Sequence, residues 1–448
     1  MAVAVSAFNP RRVQVRQRSA AARERWARIR VGLVWALLVL NVLTFYGITW
    51  DGNKLFLPVP TVAGQLITQG ALPLALLVAL TVNRRLVIRP NVFLGLVALL
   101  AVEAVLTMLR QEYAAETVTG TIFRTTRLAG FAATLWLLTP WWGRRDLLLV
   151  RYHLTAMALI LGSVVLGLLM APGHALEAGR LAGVLWPIPP TQVAHYAAVT
   201  LGLVALLWLS GRVSGRVALA VVAPTLAMLL MTHTRTALFA MVIGLVVGGL
   251  SLFAARSRVR KAFLTVALVV TVGGLMLAGV VTHWLARGET GQELTALTGR
   301  TTVWQLVLTY PRNWFEVLFG FGLSNNSFNG LPIDSNWLAT YHDQGLAGLA
   351  LCAAMVLFLL VTAYFQPRGA PRALALFLVT YCLIASFTET GLSQPSDYLL
   401  ELTLAASLLA APRVGRRRRT PARPQRGQPV LPTTLLVESR PPLAERQP

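Results

Sequence analysis

The segment Leu297–Gly348 reads LTGRTTVWQLVLTYPRNWFEVLFGFGLSNNSFNGLPIDSNWLATYHDQGLAG. It is the longest polar stretch between two apolar runs. It carries Gly299-Arg300, a Tyr310-Pro311 break, a Gly320-Phe321-Gly322 turn and a run of amides (Asn325, Asn326, Asn329). Asp334, Asn336, His342 and Asp343 follow. Connections between membrane helices are usually short. A long one with glycines, aromatics and carboxylates therefore reads as a site, or as a lid over one. An outer plug without chemistry is the plain alternative.

Outward from this segment the chain is strongly apolar. Of its 448 residues, 56% are hydrophobic and 13% charged, and the mean hydropathy is +0.63. Runs of about 20 apolar residues recur along most of its length, as a polytopic helical membrane protein requires. This excludes an ordinary soluble domain. The net charge of +23 does not point to nucleic acid, because the arginines gather in the tails and in alternate short loops. Cys352 and Cys382 both lie in apolar runs and read as buried thiols. The first apolar run follows a basic tail and lacks a small-residue cleavage site, so it reads as a signal anchor.

The expected plan is a basic cytoplasmic tail over 1–30, a membrane domain over 31–412 and a disordered Arg/Pro-rich tail over 413–448. Apolar spans are expected near 31–50, 62–82, 91–109, 128–142, 147–170, 190–209, 217–232, 237–254, 262–285, 345–365, 373–388 and 398–412. That makes an all-α protein of about twelve transmembrane helices, with a large outer loop over 286–336 between helices 9 and 10. With both termini cytoplasmic, most Lys and Arg fall inside. The segment 110–127 is basic yet falls outside.

Several arginines defy this bias: Arg110, Arg124, Arg127, Arg180, Arg235, Arg287, Arg300 and Arg312 lie on the outer side. Arg235, in Met-Thr-His-Thr-Arg-Thr-Ala-Leu between two apolar runs, is the sharpest case, since an ionisable group at such a boundary is costly. Guanidinium groups suit phosphate. Arg180, Arg235 and Arg300 open or close three separate spans and could converge on one anionic group. Snorkelling to headgroups is the bland reading of each.

Four motifs, in order, resemble those of the O-antigen ligase and polysaccharide-polymerase superfamily. They are Arg180-Leu-Ala-Gly183 before a Pro-rich loop and Thr234-Arg235-Thr236-Ala237-Leu238. Next comes Thr298-Gly299-Arg300 with Trp304 and Phe319-Gly320-Phe321-Gly322. The last is Asp334-Ser-Asn-Trp-Leu338 followed by Asp343-Gln-Gly345-Leu-Ala-Gly348. The likeness covers roughly 120–412. It implies a multi-pass plasma-membrane glycosyltransferase with a GT-C-like fold, acting on undecaprenyl-diphosphate-linked oligosaccharide. Membrane lipids, a flippase and a chain-length regulator are its implied partners. It also implies inversion at the transferred sugar. Asp334 stands where the ligases have His, which leans the reading towards polymerisation of repeat units of a cell-surface polysaccharide. A ligase, transferring the glycan to another acceptor, is the alternative.

Such a reaction needs stabilisation of charge growing on a diphosphate and a base for the acceptor hydroxyl. The outer loops offer no Asp-x-Asp pair for a metal, so Arg235, Arg300 and, next, Arg180 are the expected diphosphate ligands, with no cofactor. Asp334 is the first candidate base and His342 the second. Glu389 and Asp397 are more distant possibilities. Asp334 could instead cap the helix that follows it, and His342 could be structural. Trp304 and Trp314 suit a membrane-interface belt or sugar stacking. A lipid-linked sugar transporter is a further reading, but the two halves show no self-similarity and the polar groups gather away from the midplane.

Overall fold

The computed structural model describes residues 10–44, 61–110, 118–176, 179–253, 257–265 and 300–411. The chain is mostly helical. In order come α1 (Pro10–Val42), α2 (Thr61–Val82), α3 (Val92–Arg110), α4 (Val118–Leu138), α5 (Leu148–Met170), the short α6 (Pro172–Ala175), α7 (Pro190–Leu209), α8 (Gly215–Met231) and α9 (Arg235–Phe253). After α9 the description passes through a helical stretch at 257–265. It resumes with α10 (Arg300–Thr309), α11 (Trp314–Phe319), a two-stranded hairpin, α12 (Asn336–Phe365), α13 (Ala370–Ala385) and α14 (Asp397–Leu409). In the hairpin Ser327 faces Pro332 and Phe328 faces Leu331. Most of the ninth expected span, residues 286–299 of the large loop and the C-terminal tail lie outside the described residues.

Among the described residues, six helices are long and apolar enough to cross a membrane: α2 from Val62, α3, α5, α7, α9 and α12. α8 and α13 are apolar but shorter. Burial separates two kinds of helix. α7, α13 and α14 are buried nearly all round. The helices about them keep large apolar side chains exposed, among them Leu159, Leu169 (75% exposed) and Phe365 (78% exposed). A helix that is apolar on its exposed face needs a lipid neighbour.

Between such helices water drives no association, so close packing must hold them. Phe377 of α13 supplies it. The ring fits against Gly202 of α7 and Gly244 of α9, where any side chain would strike it, and Gly248 of α9 lies against the Ala373 carbonyl of α13. Helix ends follow local chemistry: Ser214 and Ser396 cap α8 and α14, and Asn313 with Glu316 forms a capping box on α11.

Helix starts differ from expectation in three places. α12 begins at Asn336, ahead of the span expected from 345. The basic tail is helical from Pro10, because its Ala, Arg, Glu and Gln residues are strong helix formers. Glu24 and Arg28 pair along the helix at 3.1 Å. Arg144 reaches Glu24 at 3.0 Å and Arg28 reaches Asp146 at 3.1 Å. In addition, residues 118–127, expected in a loop, form the first turns of α4.

The large loop closes against a break in α12. Gly345 has φ 61° and ψ −157° within the helix, a conformation open only to glycine. The break frees the carbonyls of His342 and Asp343, which accept from Phe321 N (3.0 Å) and Gly322 N (2.9 Å) instead. Gly320 (φ 72°) lies against the backbone of Asp343 and Gln344, and Gly345 lies against that of Leu318 and Phe319. The Gly320-Phe321-Gly322 turn is thus a seat for the kinked helix.

Candidate functional site

Four chain segments meet at one end of the helical bundle. The first is 180–183. Leu181 N donates to Met231 O at 3.0 Å and Gly183 N to Ile188 O at 2.8 Å, folding this loop tightly. The Arg180 guanidinium is thereby aimed at the turn before α9: Nε donates to Thr232 O at 3.0 Å and Nη2 to Thr234 Oγ1 at 3.3 Å. The second segment is that turn. His233 takes φ 50°, and Thr236 accepts from the Thr388 hydroxyl at 2.8 Å. Arg235, partly exposed at the first residue of α9, stands between the threonine tied to Arg180 and the one tied to the 386–396 loop.

The third segment joins the start of α10 to the start of α12. Arg300 Nε lies 2.9 Å from Asp334 Oδ2, with the two side chains 26% and 39% exposed. Asp334 does not cap α12; Ser335 is the residue at the cap position.

The fourth is the 386–396 loop, held by Asn336. Its Oδ1 accepts from Gly391 N (3.1 Å) and Leu392 N (2.7 Å), and its own N–H donates to Ser386 O at 2.9 Å. Gln394 Nε2 donates to Asn326 Oδ1 and to Asp343 Oδ2, each at 3.0 Å, and Ser324 N also donates to Asp343 Oδ2. The loop therefore presents Glu389 in a fixed place.

Glu389 is partly exposed as a residue, but its carboxyl is surrounded by protein. This desolvation pushes its pKa up to about 7. The charges of Arg300, His195 and Arg180 draw it down, and Asp334 raises it. Glu389 thus shares one electrostatic neighbourhood with Arg300, Asp334 and Arg180.

Other sequence candidates go elsewhere. His342 is 1% exposed, with ring centroids 5.2 Å from Phe321 and 5.4 Å from Phe328. Its surroundings are aromatic and belong to the loop's packing. Asp397 is buried and accepts from Tyr196 Oη at 2.9 Å. Of the remaining arginines expected on the outer side, three have structural work. Arg110 lies 4.1 Å over Phe315. Arg127 donates to Asn41 O at 2.7 Å. Arg312 stacks 4.3 Å over Tyr341 and donates to Val307 O at 2.9 Å, and burial draws its pKa down. Arg287 lies outside the described residues. Trp314 is 71% exposed. Sequence reasoning ranked Glu389 low because nothing in TETGLSQPSD fixes the loop; the signal available was an acid beside an apolar run.

Compared with known proteins, the chain matches no family model and no curated protein. Chemically, the arrangement offers cations for an anion, and a carboxyl poised to gain or lose a proton near neutrality.

Proposed function

We propose that this chain is a membrane glycosyltransferase that polymerises oligosaccharide repeat units carried on a lipid diphosphate, most simply undecaprenyl diphosphate. In this reading about twelve helices span the plasma membrane, both termini are cytoplasmic and the 300–336 region lies outside. The product is a cell-surface polysaccharide.

One observation carries the reading: Arg300 pairs with Asp334 at 2.9 Å, and both, with Arg180, lie close enough to act on the Glu389 carboxyl at a single end of the bundle. Arg235 is flanked by threonines bonded into the same cluster. Breaking a sugar–diphosphate bond leaves negative charge on the leaving group. Arg235, Arg300 and Arg180 stabilise that charge from fixed positions, which is most effective where water is scarce. The acceptor hydroxyl must lose its proton as it attacks the anomeric carbon. Glu389, titrating near neutrality, suits that work. Asp334 orients Arg300 and tunes Glu389, and serves as the second candidate base.

The test is to supply purified protein in vesicles with a labelled lipid-diphosphate-linked repeat unit. A ladder of lipid-linked polymer supports the proposal. Transfer to a non-lipid acceptor alone identifies the ligase reading. Movement of intact labelled lipid across the bilayer without any new glycosidic bond overturns both and leaves a transporter.

A further inference from the structure

The large loop carries an exposed apolar face where it meets the ends of two spans. The residues of α11 divide by face. Trp314 and Leu318 are four apart and share one face, and both are exposed. Phe315 and Phe319 share the next, with ring centroids 4.9 Å apart. Glu316 falls on the side away from Trp314, and its Oε2 accepts from Asn313 N at 2.8 Å. The helix thus turns its one acid to its own start and leaves a tryptophan and a leucine exposed.

Three contacts fix the level of this face. Arg110, the last residue of α3, lies 4.1 Å over the Phe315 ring. The Thr107 hydroxyl of α3 donates to Phe319 O at 3.4 Å. The backbone of Leu318 and Phe319 lies against Gly345 of α12. α11 is therefore seated where α3 ends and where the apolar part of α12 begins. Both places carry exposed apolar side chains. Leu99, Val102, Leu106 and Leu109 recur at helical spacing along α3, and Leu346 follows the break in α12.

An exposed apolar stripe on a spanning helix faces lipid, because contact with water would be costly. At its end the hydrocarbon gives way to headgroups. Tryptophan suits that zone, having an apolar ring and a polar N–H.

We propose that α11 is a membrane anchor of the large loop, with Trp314 and Leu318 inserted at the boundary between acyl chains and headgroups. The partner is the lipid bilayer itself, in the outer leaflet under the topology proposed above. Continuity with the lipid-facing surfaces of α3 and α12 selects this partner, since α11 extends them both. A short interfacial helix is held by the apolar area it buries. Its effect is positional. α11 leads directly into the Gly320-Phe321-Gly322 turn that seats the kinked α12, so the bilayer surface sets the height of the loop. This anchor works whatever reaction the bundle performs.

The experiment attaches a nitroxide at Trp314→Cys or Leu318→Cys, both exposed positions, in full-length protein in nanodiscs of phosphatidylethanolamine and phosphatidylglycerol. Power-saturation EPR then compares collisions with oxygen, which concentrates in the bilayer, and with a nickel chelate, which stays in water. Leu109→Cys on α3 is the lipid-facing reference, and the native chain, whose two thiols are buried, gives the labelling background. Oxygen should dominate at 314 and 318 as it does at 109. A label at either position that the nickel chelate reaches more readily overturns the anchor and leaves Trp314 in water, open to stack on a sugar.

Discussion

Arg300 and Asp334 meet at 2.9 Å across 34 positions of sequence. One opens α10 and the other stands just before α12. With side chains 26% and 39% exposed, the pair contributes only about 0–1 kcal/mol to stability. Its consequence is electrostatic. It sets a cation and an anion beside Glu389, which titrates near neutrality.

If Glu389 is the base, it must be ionised to act. The rate of glycosyl transfer should therefore rise with pH through about 7, the point to which burial pushes its pKa, and level off above. Glu389→Gln should remove this limb and most of the rate. The same shift affects stability with the opposite sense. The folded chain holds the Glu389 proton more tightly than the unfolded one. The stability this gives is complete below the ordinary value of 4.5 and is lost as pH rises through about 7. Rate and thermal unfolding across pH check both.

Neighbouring charges should move that limb in opposite directions. Arg300 draws the Glu389 pKa down and Asp334 raises it. In Arg300→Gln the limb should shift to higher pH, and in Asp334→Asn to lower pH. Identical midpoints in the two variants would remove Glu389 from the site.

Gly345→Ala should destabilise the protein by about 1–3 kcal/mol or more, since alanine cannot take that backbone conformation without strain and would meet the backbone of Leu318 and Phe319. Gly95→Ala in α3 is the control, with open space around the added methyl. It should be neutral or stabilising by up to about 1 kcal/mol. Thermal unfolding in detergent compares the two.

Asn336→Ala should leave the N–H groups of Gly391 and Leu392 without their acceptor, at a cost of about 1–3 kcal/mol. Hydrogen exchange should accelerate in the 386–396 loop before the bundle loosens. Glycosyl transfer should fall with it, because the loop carries Glu389.

Much of the helical plan was legible. The apolar runs at 62–82, 91–109, 147–170 and 190–209 match α2, α3, α5 and α7 within a residue or two, since a buried or lipid-facing helix declares itself by apolar length alone. The helical tail from Pro10 was not legible, because in a basic segment the orientation signal outweighs helix propensity. The site was half legible. Arg180 and Arg300 stood out as cations on the wrong side, and Asp334 as a carboxylate beside a span. That Arg300 would take Asp334 was hidden, as was the lock of Asn336 on 391–392. Both depend on how distant segments dock, which no local period encodes. Nothing in the apolar run that holds Glu401 signals that His195 and His153 lie beside it, since those contacts join distant helices.

The central claim is that fixed arginines at this end of the bundle carry the leaving diphosphate. The most direct measurement is elongation of a lipid-diphosphate-linked repeat by purified protein in EDTA, for the native chain and for Arg300→Ala and Arg235→Ala variants of native-like thermal stability. The native protein should elongate in EDTA, and each variant should slow by about 100-fold or more. Native elongation that stops in EDTA and returns with added divalent metal, or variants that elongate at the native rate, would contradict it.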